Sequence, residues 1–280
     1  MNADDLSGVA LIQRGGATVA EHAGGMADWD LGLACTPQTR FQIASVSKHF
    51  TAAAVLLLTS QSQLSLDDPV TRWFGGCPQD WRAITLHHLL THTSGLAHLD
   101  DLPALDLYRP IEAAPELSVF QQHPLLFAPG TRHRYSSPGY TLLAWIVEKT
   151  AGQPYVGFLA DRIFTPLGMH TASAGDPPGG TGMAYGYYAG KPVPSFDLAT
   201  IGTGAGDVWC TAADLLRWDE AVARDELLPA RLREAMLTPH ALTGTAAKPK
   251  GWSIAGSGYG WQIGTVDGRR SATLRATRRW

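Results

Sequence analysis

Apolar and polar positions divide the chain into two strand-like ends and a helical middle. Residues Gly8 to Gly24 alternate around Arg14-Gly15-Gly16-Ala17, with Ala10, Ile12 and Val19 among the apolar positions. Period-two alternation about a glycine turn predicts a β-hairpin. The run Phe50-Thr51-Ala52-Ala53-Ala54-Val55-Leu56-Leu57-Leu58 carries a single polar side chain. A helix that is apolar nearly all round is a buried one, so this run predicts a core helix ending near Gln61-Ser62. Asp67-Asp68-Pro69 then breaks the pattern and starts a short helix towards Trp73-Phe74.

From Thr85 to about Ala199 the segments read as mostly helical. One helix starts at Thr85-Leu86-His87-His88-Leu89-Leu90, and a second runs from Tyr140 to Thr150 with Gly152 as its stop. A third spans Val156 to Phe164 and ends at Pro166. Thr211-Ala212-Ala213-Asp214 has the form of a capping box opening a helix over Leu215 to Ala223. Tyr259 to Val266 reads as a strand. Strands at both ends with helices between them predict an α+β architecture. Its antiparallel sheet comes from the two chain ends, about 8–44 and 255–268, flanked by helices and with a helical region of about 70–200 inserted.

Composition excludes several classes. The 280 residues are 45% hydrophobic and 17% charged with a net charge of −3, which is ordinary globular composition. Such a balance offers no electrostatic argument for a nucleic-acid partner. No apolar stretch approaches the ~20 residues of a membrane-spanning helix. The acidic start Met1-Asn2-Ala3-Asp4-Asp5 is unlike a secretory leader, so a cytoplasmic location is expected. Cys35, Cys77 and Cys210 are scattered, which argues against a zinc ribbon or a redox pair. His88 and His92 have the spacing of two metal ligands on a helix, but no Glu follows His88 as a zincin requires. Gly202-Thr203-Gly204-Ala205-Gly206 lacks the Gly-Lys-Ser/Thr ending of a phosphate loop and reads as a turn. No metal and no cofactor are expected.

The candidate chemistry lies at the entrance of the buried helix, in Ser45-Val46-Ser47-Lys48. Residues three apart on a helix share a face, with Cβ atoms about 5–6 Å apart. Desolvation disfavours a charged lysine, and a neutral amine beside a hydroxyl activates it as a nucleophile. Serine is also a preferred N-cap residue, so these four residues alone leave both readings open. Further on, Arg134-Tyr135-Ser136-Ser137-Pro138-Gly139-Tyr140 sits in a turn before a helix. Tyr135 and Ser137, two apart, can both face a cleft there, or Tyr135 can be a packing aromatic.

With these two elements in order, the chain resembles the serine β-lactamase and penicillin-binding-protein superfamily. It is nearest the class C-like branch, which includes family VIII-type carboxylesterases and D-aminopeptidase-like hydrolases. Phe41 to Lys48, Leu89-Leu90-Thr91-His92-Thr93-Ser94-Gly95-Leu96, Tyr135 to Tyr140, Pro166-Leu167-Gly168-Met169 and Gly204-Ala205-Gly206-Asp207-Val208 carry the resemblance. It implies a β-lactamase/transpeptidase-like fold and a serine hydrolase that forms an acyl-enzyme on Ser45. In that reading Lys48 takes the serine proton and Tyr135 shuttles a proton to the leaving group. A phenol gives up its proton near neutrality only beside a cation, so Tyr135 and Lys48 are expected to meet. The implied substrates are a small-molecule ester, β-lactam or D-amino-acid peptide. Ser137 stands where the family's Y-x-N motif has Asn, as a substrate-binding residue. A hydroxyl lacks the amide's two donors, which tilts the expectation towards esters.

The resemblance fades near Gly268. A K-T-G or H-x-G triplet, two strands and a long helix are expected after Ile263. The chain instead runs Gly268-Arg269-Arg270-Ser271-Ala272-Thr273-Leu274-Arg275-Ala276-Thr277-Arg278-Arg279-Trp280. That stretch is basic and without strand periodicity, so 269–280 reads as an atypical Arg-rich tail. The expectation is a truncation or reading-frame shift shortly after Gly268, with the family's final strands replaced. The alternative to a working hydrolase is then an impaired homologue that binds a ligand or partner without efficient turnover. Acyl transfer in a biosynthetic pathway would use the same nucleophile.

Overall fold

The structure is a computed structural model that describes residues 7–101, 117–176, 182–188, 191–192, 202–242 and 252–273. The apolar run forms α1 (Lys48–Ser60), buried continuously from Lys48 through Leu58. Gln61 caps its C-terminus, where the sequence pattern ends. Phe50 on α1 packs between Phe164 and Trp218, with ring centroids 5.4 and 4.6 Å away. Burial on every side makes α1 the axis around which the site is built.

The strands at the N-terminal end form as the alternation requires. Strands β1 (Gly8–Arg14) and β2 (Ala17–Gly24) pair antiparallel around the glycine turn, with a register shift between Ile12 and Gln13. A second short pair, β3 (Met26–Asp28) and β4 (Leu33–Ala34), follows and leads to β5 (Phe41–Gln42).

The helical middle has α2 (Leu86–Leu90), α3 (Leu117–Gln121), α4 (Ser137–Ala151) and α5 (Tyr155–Leu159). The α4 helix starts three residues before the expected Tyr140. Ser136 caps it by accepting the Gly139 N–H, and Pro138 pre-sets the first turn. Gly152 stops it in a left-handed conformation, as expected. The α5 helix runs on into a π-helical turn over Ala160–Phe164. Near Asp67-Asp68-Pro69 the expected short helix is a 3₁₀ turn, Val70–Arg72.

His88 is used as a cap rather than as half of a ligand pair. Its Nδ1 accepts the Thr85 N–H at 3.2 Å, while Thr85 Oγ1 accepts the His88 N–H at 3.3 Å. Among the described residues no helix is long and apolar enough to cross a membrane.

Small strands then join distant segments. Strand β6 (Ser173–Ala174) and β5 flank β9 (Val208–Cys210) in a three-stranded sheet, with Phe41 opposite Cys210 and Ser173 opposite Trp209. This sheet fixes the approach to α1 beside the loop that precedes β9. Between β6 and β9, β7 (Tyr187–Tyr188) and β8 (Lys191–Pro192) form a short separate pair. Helices α6 (Ala212–Ala223) and α7 (Ala230–Met236) follow. Thr211 Oγ1 accepts the Asp214 N–H, half of the expected capping box. The Asp214 carboxylate turns to Thr171 instead, accepting from its N–H and hydroxyl.

At the C-terminal end β10 (Trp252–Ser257), β11 (Gln262–Val266) and β12 (Arg269–Thr273) form an antiparallel sheet in that order. Its hydrogen bonds form a ladder separate from that of the β1–β2 hairpin. Arg269–Thr273 therefore forms a strand where none is expected from the side-chain pattern. The Asp267-Gly268 pair, both at positive φ (49° and 76°), folds it back along β11. Such a turn matches the twist of the strands it joins, and pairing forms without side-chain alternation.

Candidate active site

Strand β5 delivers the chain to the site. The Ile43 N–H donates to the Val208 carbonyl at 2.9 Å, and Ala44 turns through φ +47° into a 3₁₀ turn spanning Ala44–Ser47. Ser45 thus lies in a tight turn just ahead of α1, and not on the helix with Lys48 as the spacing suggests. In a 3₁₀ turn side chains three apart eclipse one another, so the pair still meets. Neither Ser45 nor Ser47 caps α1 with its side chain. Ser47 Oγ instead accepts the Val208 N–H at 2.9 Å, a second tie between the turn and β9.

The Lys48 side chain is fully buried. Its Nζ donates to Ala205 O at 2.6 Å and to the hydroxyls of Ser45 and Ser137, each at 3.4 Å. It also lies 5.0 Å from the Tyr135 ring centroid and 5.6 Å from that of Tyr140. Tyr135 donates its hydroxyl hydrogen to Ser45 Oγ at 2.7 Å. The four residues singled out in the sequence, Ser45, Lys48, Tyr135 and Ser137, therefore converge on one point.

Several participants carry no motif that a sequence reading would assign a role. The loop before β9, a glycine-rich turn in sequence that overlaps the Gly204–Val208 stretch of the resemblance, supplies the Ala205 carbonyl. At Gly204, φ is +77°, and an added Cβ would stand 2.5 Å from Ala144 Cβ on α4. Only glycine lets the loop pass this close. Gly204 O accepts from Thr51 Oγ1 at 2.6 Å, and that hydroxyl also meets Tyr155 OH at 2.7 Å. The Gly204 N–H donates to Asp207 Oδ1 at 2.9 Å. Burial pushes the Asp207 carboxyl up to about 6, against its N–H donors and the Lys48 charge, which pull it down. A buried network thus connects Lys48 and Thr51 on α1 to the 204–207 loop and to α5.

Histidines line the opposite wall. His92 lies with its ring tilted 38° against Tyr135, centroids 4.5 Å apart, and His98 meets that ring edge-on at 5.2 Å. His133, two residues before Tyr135, bonds Ser257 Oγ on β10 at 2.9 Å through Nε2. The Leu89–Leu96 motif points to this wall without saying which of its side chains acts.

A hydroxyl nucleophile in reach of both an amine and a phenol, on an α+β scaffold, defines the class of a serine hydrolase. The chain belongs to the Beta-lactamase family, which it matches over residues 2–277. It is 29% identical to esterase EstB of Burkholderia gladioli over 94% of this chain and 76% of the esterase. Penicillin-binding protein 4 of Amycolatopsis lactamdurans is 31% identical, over 94% of this chain and 72% of that protein. Other relatives are longer, and the chain spans 59% of PbpX of Bacillus subtilis. The crystal structure of a penicillin-binding protein from Bacillus halodurans superposes with a TM-score of 0.79 at 30% identity, covering 95% of this chain and 82% of that one.

Proposed function

We propose that this hydrolase opens a small ester through an acyl-enzyme on Ser45, with Lys48 and Tyr135 moving the protons. The observation that carries the reading is the contact of Ser45 Oγ with both Tyr135 OH, at 2.7 Å, and Lys48 Nζ, at 3.4 Å. Ser45 Oγ attacks the ester carbonyl and its proton passes to the Lys48–Tyr135 pair. The same pair returns that proton to the departing alcohol as the carbon–oxygen bond breaks. Water then repeats the sequence on the acyl-serine, releasing the acid and restoring the Ser45 hydroxyl. Positioned proton transfer of this kind contributes typically 10²–10⁴-fold.

Two observations support an ester over a β-lactam or a D-amino-acid peptide. Ser137 offers a short hydroxyl, and its Oγ already accepts from Lys48 at 3.4 Å. That leaves little to orient a substrate amide. EstB, similar over nearly the whole of this chain, is an esterase by name. The test is turnover and intact mass with an activated p-nitrophenyl ester and with a penicillin, comparing wild type with Ser45→Ala. Nitrophenol release and an acyl adduct are expected from wild type and not from the variant. Equal release by both proteins, or no adduct and no release at all, overturns the assignment.

A further inference from the structure

Tyr135 sits in a loop, and a loop side chain reaches a fixed point only when its neighbours hold the backbone still. The peptide groups around Tyr135 are tied to the segment that begins at His92. The Arg134 N–H donates to the His92 carbonyl at 2.9 Å. The Ser136 N–H donates to His92 Nδ1 and the Ser137 N–H to His98 Nδ1, both at 3.2 Å. His92 alone therefore grips the chain on both sides of Tyr135. Its ring also lies against the phenol at 4.5 Å and against Tyr140 at 5.1 Å.

The backbone at His92 is unusual as well. Its φ is +58°, in the left-handed region that residues with a Cβ seldom occupy. Strained backbone that persists in a well-packed wall is commonly found at functional sites. Here it carries the ring from the end of α2 to beneath the Tyr135 loop. The groups that face this ring are Lys48 on α1, His98, His133, Tyr135 and, on α4, Tyr140. Burial, aided by the charges of Lys48, His133 and His98, holds the imidazole well below its ordinary value. The ring is then neutral near pH 7, with a lone pair on Nδ1 to receive the Ser136 N–H.

We propose that His92 is a positioning residue for Tyr135: its Nδ1 accepts the Ser136 N–H and so aims the phenol hydroxyl at Ser45. The proposal rests on the role given to Tyr135 above. It predicts that the acceptor atom matters more than the ring. His92→Asn keeps an acceptor in nearly the same place and tolerates a left-handed backbone, whereas His92→Phe keeps the ring and removes the acceptor.

The test is the hydrolysis of a p-nitrophenyl ester by both variants, in the wild-type background and with Tyr135→Phe. His92→Asn is expected to keep kcat within about tenfold of wild type. His92→Phe is expected to lower kcat about 10²-fold with KM within about twofold, the range for one positioned proton-transfer group. In the Tyr135→Phe background, His92→Phe is expected to cost less than about twofold more, because residues acting as a unit are not additive. Equal losses in the two His92 variants, or a full further loss without Tyr135, overturn the inference while leaving the Ser45 assignment intact. Turnover that does not depend on Ser45 instead overturns the proposed function. A second measurement needs no variant to fold: ¹⁵N NMR of the wild-type histidines is expected to show His92 Nδ1 unprotonated at pH 7. A proton on that nitrogen sinks the proposal.

Discussion

Lys48 Nζ makes its shortest hydrogen bond to the Ala205 carbonyl, 2.6 Å away, while the Ser45 hydroxyl stands at 3.4 Å. The lysine is thus anchored by the main chain of a distant loop and held towards the nucleophile. The anchor suits a compact head that points one N–H at the carbonyl and another at Ser45. Arginine is planar, longer and does not surrender its proton in proteins. Lys48→Arg is expected to lower kcat for a p-nitrophenyl ester by about 10²–10⁴-fold with the fold retained. Steady-state kinetics with circular dichroism check this, and a loss under tenfold would remove Lys48 from the proton path.

The anchor in turn depends on Gly204. A Cβ there would stand 2.5 Å from Ala144 Cβ and 3.0 Å from Tyr140 O, at a φ of +77°. Gly204→Ala therefore combines a strained backbone with an overlap that only movement of the loop can relieve. The expected destabilisation is about 2–4 kcal/mol. Loop movement also displaces the neighbouring Ala205 carbonyl, so activity is expected to fall well below the melting temperature. Thermal melts paired with kinetics at 15 °C below the variant's Tm separate the two effects.

Asp207 gives the protein a pH-dependent stability that one substitution removes. Its carboxyl is raised from the ordinary 3.8 to about 6 by burial, and Oδ2 has no hydrogen-bond partner among the described residues. A raised acid keeps its proton in the folded state while the unfolded state has already lost it. At this group the folded protein then binds more protons between pH 4 and 6, so the contribution of Asp207 to stability falls as pH rises through that window. The fall amounts to roughly 3 kcal/mol, because each pH step of one between the two values is worth about 1.36 kcal/mol. Asn at 207 keeps an acceptor for the Gly204 N–H and cannot ionise. Urea unfolding at pH 4 and pH 8 is expected to show Asp207→Asn gaining that amount on wild type between the two conditions. A gap that does not change with pH contradicts the assignment.

The parts of the fold written as composition were the legible ones. The α1 run is apolar on every face, and a helix of that kind has nowhere to go but the core. The β1–β2 hairpin was equally plain, because its alternation and its glycine turn agree. Ser45 and Lys48 were legible as a pair but not as a shape, since α-helical and 3₁₀ turns both bring together residues three apart. Strand β12 escaped because backbone pairing after the Asp267-Gly268 turn, and not side-chain pattern, forms it. Within the site, Ala205 acts through a carbonyl that every residue possesses, so the Gly204–Val208 stretch carried the resemblance without showing which atom acts. His92 was visible only as part of a motif, because its role depends on a left-handed backbone and on a loop more than forty positions away.

Ser137 is expected to set what the site accepts besides esters. It opens α4 as a buried residue, with its Oγ 3.4 Å from the same Lys48 Nζ that reaches Ser45. Asparagine at this position reaches further and brings an acceptor for Lys48 together with two donors for a substrate carbonyl. One added hydrogen bond to an amide-bearing substrate is worth about 0.5–1.5 kcal/mol, roughly 2- to 12-fold in rate. Ser137→Asn is therefore expected to raise the rate of penicillin acylation relative to p-nitrophenyl ester hydrolysis by roughly 2- to 12-fold. Ester turnover need not improve, since an ester gains little from the new donors. Time-resolved intact mass for the penicillin and absorbance for the ester give the two rates on one protein sample. An unchanged ratio in a folded variant means that this side chain does not set the preference.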